Sequence, residues 1–318
     1  MDAQMAQNAA RLWLQTDAAF GVREVPLVLP KRGPPMVKSV SVTTTTQRPA
    51  FHTAPRASNT SPAAAARPQP PAPRSIIPPP VSAEVKEPRL SRRSVDIAGN
   101  ATLPPVPAGR LDQMPAISAE DKPRLLAELE QQAIAALSPY LSAVATKVVF
   151  GDGDPAAALM FVGEGPGAEE DKTGKPFVGR SGQLLDKMIS AMGLNRRKVY
   201  IGNVVKLRAA EPDPVTGRLR DRPPTPSEVA LNISWLHRQI EIIRPRVLVT
   251  LGVPALRHLT GLTEGISRVR GTWLEYRGIP LMPTYHPSFV LRSYTPENRA
   301  KVWSDLQQVM AKLDLTLP

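Results

Sequence analysis

The sequence predicts an α/β fold: three layers, α/β/α, around a central, mainly parallel four-stranded sheet, preceded by a long disordered Pro/Ala-rich N-terminal region. Three observations carry this. From residue 117 onward, apolar runs alternate with amphipathic ones, which is the order of a strand-helix-strand chain. The apolar runs are continuous, as strands covered on both faces must be. And 19 of the 36 prolines fall before residue 117, so the two parts of the chain are built differently.

The elements follow in order. "SAEDKPRLLAELEQQAIAALSPYL" opens with Ser118 and Asp121, spaces Leu125, Leu126, Leu129, Ile134 and Leu137 near helical periodicity, and stops at Ser-Pro, so one helix enters the domain here. "ALMFVG" reads as the first strand and "SGQLLDKMISAMGL" as the helix after it. "KVYIGNVV", "PSEVALNISWLHRQIEII", "RVLVTLG" and "VPALRHLTG" continue as strand, helix, strand and helix. "GTWLEYRGIPLMPTYHPS" reads as a strand pair turned at Arg277-Gly278, and "PENRAKVWSDLQQVMAKL" as the last helix. Two regions result: residues 1–116, basic, Pro-rich and mostly disordered, and residues 117–318, a single folded domain. The first region lacks any sustained period of 2 or 3.6, and its composition buries too little apolar surface to offset its conformational entropy. Its first 20 residues, "MAQNAARLWLQTDAAF" among them, hold one or two short amphipathic turns.

Composition excludes several chemistries. There is no cysteine, hence no disulfide and no thiolate metal site, and the four histidines, His52, His237, His258 and His286, lack ligand spacing. Neither a metal nor another cofactor is expected. No run approaches a membrane span and no signal peptide is evident, so a cytoplasmic, nucleoid-associated protein is expected. The net charge of +12 divides as +7 in residues 1–116 and +5 in the rest. A basic tail on a basic domain favours a polyanionic partner, nucleic acid first; the bland alternative is solubility alone.

In open α/β sheets, ligands bind beyond the carboxyl ends of the strands. Three segments fall there: 163–179, Asn203–Arg208 and His286–Arg292. The first, "GEGPGAEEDKTGKPFVG", fits the permissive dinucleotide pattern GxGxx(G/A) at Gly163, Gly165 and Ala168. However, Pro166 removes an amide donor, and Glu169, Glu170 and Asp171 place negative charge where a phosphate would sit. The P-loop pattern fails because Gly174-Lys175 is followed by Pro176, and "GRSGQ" is no nucleophile elbow. What remains is backbone that can approach a ligand closely, with Phe177 available to stack on a flat ring; taken alone, Phe177 reads more readily as a core aromatic.

"FVGEGPGAEEDKTGKPFVGRSGQLLD", "VYIGNVVK" and "TYHPSFVLR" together resemble the signature segments of the family 4 uracil-DNA glycosylases, in the same order and at comparable spacing. The resemblance covers roughly residues 136–314. It implies a monofunctional enzyme that flips uracil out of DNA and hydrolyses its N-glycosidic bond, leaving an abasic site for base-excision repair. It implies that Phe177 stacks on uracil, that the backbone from Glu164 through Gly165, Pro166 and Gly167 meets its carbonyl edge, and that Asn203 reads N3-H and O4. His286 would stabilise charge at O2, and Glu170 would orient water or stabilise cationic character at C1′. Ser288, Leu291 and Arg292 would contact DNA, with Leu291 as wedge and Arg292 on phosphate. The partners implied are uracil-containing DNA and free uracil as product, with a monomeric enzyme and repair partners bound through the tail. The alternative reading is a non-catalytic uracil or abasic-DNA binding protein, or a repair scaffold.

Two departures stand out. Members of this family typically hold a four-iron, four-sulfur cluster through four cysteines, and the aligned positions here are Ala136, Pro139, Leu207 and Asn232. Apolar packing around Leu137, Leu141, Leu207 and Trp235 is expected in its place. Arg208–Pro224, "RAAEPDPVTGRLRDRPP", is longer than the family's Arg-Pro-Pro. It has none of the histidine found in the corresponding insert of a covalently trapping branch, so turnover is expected. Its arginines either contact phosphate or form a solvated loop.

Overall fold

The structure is a computed structural model that describes residues 107–316. The readings of residues 1–106 lie outside the described residues. Labels run in chain order: α1 (Asp121–Leu137), β1 (Asp152–Gly153), β2 (Leu159–Gly163), α2 (Ala168–Thr173), α3 (Arg180–Ala191), β3 (Tyr200–Asn203), β4 (Ala210–Pro212), β5 (Leu219–Asp221), α4 (Pro226–Ile243), β6 (Val247–Leu251), α5 (Val253–Thr260), α6 (Ile266–Val269), β7 (Leu274–Tyr276), β8 (Ile279–Thr284), α7 (Pro287–Arg292) and α8 (Pro296–Lys312).

The main sheet has the order β1-β3-β2-β6-β8-β7. Its four central strands are the predicted ones, and they pair in parallel. Short antiparallel strands close each edge, β1 on β3 and β7 on β8, so the sheet is six-stranded and mixed. The second edge is the hairpin expected at Arg277-Gly278, both of which have positive φ, as a tight turn requires.

Side chains of β2 alternate between two cores. Met160 and Val162 join the apolar faces of α1, α4 and α5, while Leu159 and Phe161 join those of α3 and α8. Both faces of the sheet are therefore covered, which explains why the strands read as continuous apolar runs. Helix α4 starts where the sequence places it because Thr225 and Glu228 cap it reciprocally, with Pro226 at its first position. The buried stripe of α1 runs through Leu126, Leu129, Ala133 and Leu137; Ile134, counted with the apolar face above, is exposed.

Residues 107–116 belong to the folded unit. Leu111 is 2% exposed and packs in the core beside Tyr276 and Ile279. Its amide donates to Arg277 O at 2.8 Å, and the Arg277 guanidinium donates to Gly109 O at 2.9 Å. Among the described residues, no helix is long and apolar enough to cross a membrane.

Parallel pairing puts the ends that matter on one edge. Gly163 at the end of β2 lies opposite Asn203 at the end of β3, and Thr284 at the end of β8 opposite Leu251 of β6. The three candidate segments all leave the sheet from this carboxyl edge.

Candidate active site

Beyond β2 the chain turns through Glu164–Gly167 into α2. A helix does begin at Ala168, as a phosphate-binding turn would need. Its N-terminal amide is already occupied, because Glu170 Oε2 accepts from Gly167 N at 3.2 Å. The other oxygen, Oε1, accepts from Val178 N at 2.9 Å and Gly179 N at 2.8 Å. Glu170 thus ties the two ends of the loop together. Asp171, also buried, accepts from Thr146 N, Thr146 Oγ1 and Lys147 N and ties the loop to the segment before β1. Only Glu169 of the acidic trio behaves as a solvated charge, paired with exposed Lys172.

Phe177 is 4% exposed and adopts φ 52°, a left-handed conformation seldom taken by an aromatic residue. Long-range contacts impose it. The Arg196 guanidinium donates to the carbonyls of Pro176 and Phe177 and to the Asp186 and Asp152 carboxylates, and α3 brings Gly182 directly against the Phe177 carbonyl. The Phe177 ring lies over Gly163, where an added Cβ would come within 2.5 Å of both Phe177 Cζ and Asn203 Oδ1. Glycine is required there because two functional side chains converge on it.

Asn203 is buried, and its Oδ1 has no hydrogen-bond partner among the described residues. Unpartnered buried acceptors cost on the order of 1–3 kcal/mol, so they are uncommon unless a ligand meets them. Its backbone is held from behind. Lys206, fully buried, donates from Nζ to Asn203 O at 2.9 Å and to Gln239 Oε1 at 2.6 Å. Desolvation lowers the Lys206 pKa to about 7.

His286 caps the N-terminus of α7. Its Nδ1 accepts from Ser288 N at 3.1 Å and lies 2.8 Å from Ser288 Oγ. An amide N–H can only donate, so Nδ1 is the bare nitrogen and the proton of the neutral ring sits on Nε2. Desolvation, and then the nearby Arg292 charge, push the His286 pKa down to about 4, so the ring is neutral near pH 7. Its centroid lies 5.6 Å from that of Phe177. The end of β8 that delivers it is clamped by Thr284 Oγ1 donating to buried Asp305, which also receives the Arg270 guanidinium.

These residues border an open cleft of about 590 Å³. One wall is Glu164–Glu170 with Phe177; a second is His286, Ser288, Leu291 and Arg292. Asn203 is not on the open lining but lies beside it, next to Phe177 against Gly163. The Arg208–Pro224 insert supplies a third wall. Its β4–β5 hairpin brings Asp221, Arg222, Pro224 and Ala209 to the cleft. Its arginines are mostly engaged: Arg208 with Asp221 at 2.7 Å, Arg220 with Glu211 at 2.7 Å, and Arg222 with both oxygens of Glu228.

A family-type iron–sulfur cluster does not fit this chain. There is no cysteine, and Asn232 at one aligned position is buried with its amide committed: Oδ1 accepts from Lys206 N at 2.9 Å and Nδ2 donates to Glu228 O at 2.8 Å. Of the residues expected to pack there, Leu137 is buried and Trp235 packs against the core, while Leu141 is 37% exposed; the Asn232 hydrogen bond to Lys206 N also ties the segment after β3 to α4.

Sequence reasoning missed Arg196, Lys206, Gln239, Asp221 and Asp305. All act through partners distant in the chain, with no local pattern to mark them. A pH dependence of stability follows from two histidines. His286 and His237, the latter 2.7 Å from Tyr276 OH, are both pushed down to about 4, chiefly by burial. The unfolded chain takes up protons near pH 6.5 and the folded one only near 4, so stability should fall as pH drops across that interval. Urea midpoints between pH 7 and 4 measure it; a flat profile would contradict the desolvation of the two rings.

Comparison with known proteins agrees with this geometry. The model of the uracil DNA glycosylase superfamily matches residues 150–307. The type-4 uracil-DNA glycosylase of Thermotoga maritima is 44% identical over 165 residues, covering 51% of this chain and 81% of that protein. Those of Archaeoglobus fulgidus and Sulfurisphaera tokodaii are 39% and 36% identical, over 52% and 58% of this chain and 81% and 83% of theirs. The matched span holds all three segments that converge on the cleft, and the chain belongs to the uracil-DNA glycosylase superfamily, as a type-4-like member.

Proposed function

We propose that the chain is a monofunctional uracil-DNA glycosylase that hydrolyses the N-glycosidic bond of a uracil flipped out of DNA, leaving an abasic site and initiating base-excision repair. The observation that carries this is the pairing of a fixed donor and an unmet acceptor around Phe177: His286 Nε2–H on one side and Asn203 Oδ1 on the other.

The base stacks on Phe177 while the backbone of Glu164, Gly165, Pro166 and Gly167 lies along its edge. Asn203 Oδ1 accepts from N3–H and its Nδ2 donates to O4. Cytosine offers an acceptor at N3 and a donor at C4, so both contacts become repulsive, and an unmet buried polar pair discriminates strongly. As the C1′–N1 bond breaks, its electron pair passes into the uracil ring and charge collects at O2. His286 Nε2–H meets that charge, a contact stronger in the transition state than in the ground state. Water adds its oxygen to C1′ and loses a proton, and the departing uracil anion gains one. Glu170, bordering the cleft, favours cationic character at C1′ while its backbone bonds hold the loop in shape. Leu291 fills the space vacated in the duplex and Arg292 contacts phosphate. The products are free uracil and abasic DNA, and the working unit is a monomer.

Single- and double-stranded oligonucleotides carrying one uracil test this directly, with released uracil as the readout. Binding without release would favour a non-catalytic reader of uracil or abasic DNA and overturn the enzymatic reading.

We place Leu111 inside the catalytic domain, so its N-terminal boundary lies before residue 111 and not at 116. Residues 1–106 carry +7 of the net charge. Their removal should preserve base release and weaken DNA affinity, most at low salt. Cutting at 116 instead removes Leu111 from the core and should cost about 3 kcal/mol. Equal melting temperatures for the two truncations would refute the boundary.

A further inference from the structure

A fully buried lysine amine with no carboxylate beside it among the described residues is an expensive feature. Lys206 donates to two neutral acceptors, Asn203 O and Gln239 Oε1, and lies 5.7 Å from the Phe150 ring. Burying a polar amine, charged or neutral, costs more than burying an apolar residue of the same shape, so its presence calls for a task that an apolar side chain cannot perform. The hydrogen bonds indicate that task. Gln239 is itself fixed, its Nε2 donating to Phe150 O at 2.9 Å and to Tyr200 OH at 3.1 Å. The backbone amide of Lys206 donates to Asn232 on the same helix, α4. A continuous polar chain therefore runs from α4 through Lys206 to the main-chain carbonyl of Asn203. Nothing among the described residues holds the Asn203 side-chain oxygen, so its position before a base arrives depends on the backbone that carries it.

We propose that Lys206, anchored by Gln239 and Asn232, is a positioning residue for uracil recognition: it pins the Asn203 backbone at the height where the amide meets the edge of the base. The same contacts answer the cluster misfit. Leu207 and Asn232 are two of the four positions aligned with cluster ligands, and here the segment after β3 is tied to α4 by hydrogen bonds from Lys206. The inference rests on the glycosylase reading and deepens it.

The test is a double-mutant cycle in the full-length chain, with single-turnover uracil release as readout and a melting curve for each variant. Lys206→Met should slow release about 10- to 100-fold, as sub-ångström misplacement of a contact does, and leave KM within about twofold because the DNA-facing residues lie on other walls. In an Asn203→Ala background, where there is no amide left to position, the same substitution should slow release less than about twofold further. Gln239→Leu should show the same pattern at smaller amplitude, and it carries the test if Lys206→Met does not fold. Full additivity with Asn203→Ala, or a folded Lys206→Met with the wild-type rate, would overturn the positioning role. An Asn203→Ala variant that keeps the wild-type rate would instead remove the uracil-reading assignment beneath it.

Discussion

Replacing His286 with alanine is expected to slow uracil release by about two to three orders of magnitude, the usual cost of losing one preorganised donor to a developing anion. DNA affinity should change little, because the contact strengthens mainly as the bond breaks. The specific arrangement sharpens this expectation. Ser288 supplies an N–H to Nδ1, and that single amide forces the ring proton onto Nε2 without any need for an imidazolium. A ring with its pKa near 4 is a neutral donor at working pH, so the His286→Ala loss should be nearly constant between pH 6 and 8. Single-turnover rates across that range check it; a loss that shrinks sharply as pH rises through 6.5 would indicate a charged imidazole instead.

The second large effect is expected at a residue that contacts Phe177 and not the base itself. Gly182 sits inside α3, where glycine is ordinarily a liability of about 1 kcal/mol relative to alanine. Here a Cβ would overlap the backbone carbonyl of Phe177, and backbone cannot swing aside as a side-chain tip can. Gly182→Ala should therefore cost about 3 kcal/mol of stability, or displace the 174–179 segment and take Phe177 with it. Either way uracil release should collapse, and thermal melting combined with activity separates the two routes. A variant with native melting and native rate would show that the α3 contact with Phe177 is dispensable.

Much of this was legible in the sequence, for identifiable reasons. The four central strands and α4 declare themselves because burial on both faces and a reciprocal cap are local patterns. Asn203 and His286 were found at or just beyond strand ends and Phe177 in the segment that follows β2, and parallel topology brings these to one edge. Ser288 was expected at the DNA, and the structure additionally gives it the task of orienting His286. The edge strand β1, only two residues long, carries no periodicity to detect. Arg196 was invisible because its four partners all lie before it, 10 to 44 residues away between Asp152 and Asp186, and become neighbours only when the loop closes. Lys206 stood inside a recognised segment, yet nothing in one sequence tells a buried lysine from an exposed one.

The left-handed backbone at Phe177 has a further consequence. A conformation of this kind costs on the order of 1 kcal/mol, and in this protein the cost is carried by the free enzyme, held by Arg196, Gly182 and Glu170 before any DNA arrives. An extruded base then meets a wall already in its final shape. The entropy lost on association falls on the nucleotide and hardly at all on the loop, so affinity for the flipped base is undiluted by ordering of the protein.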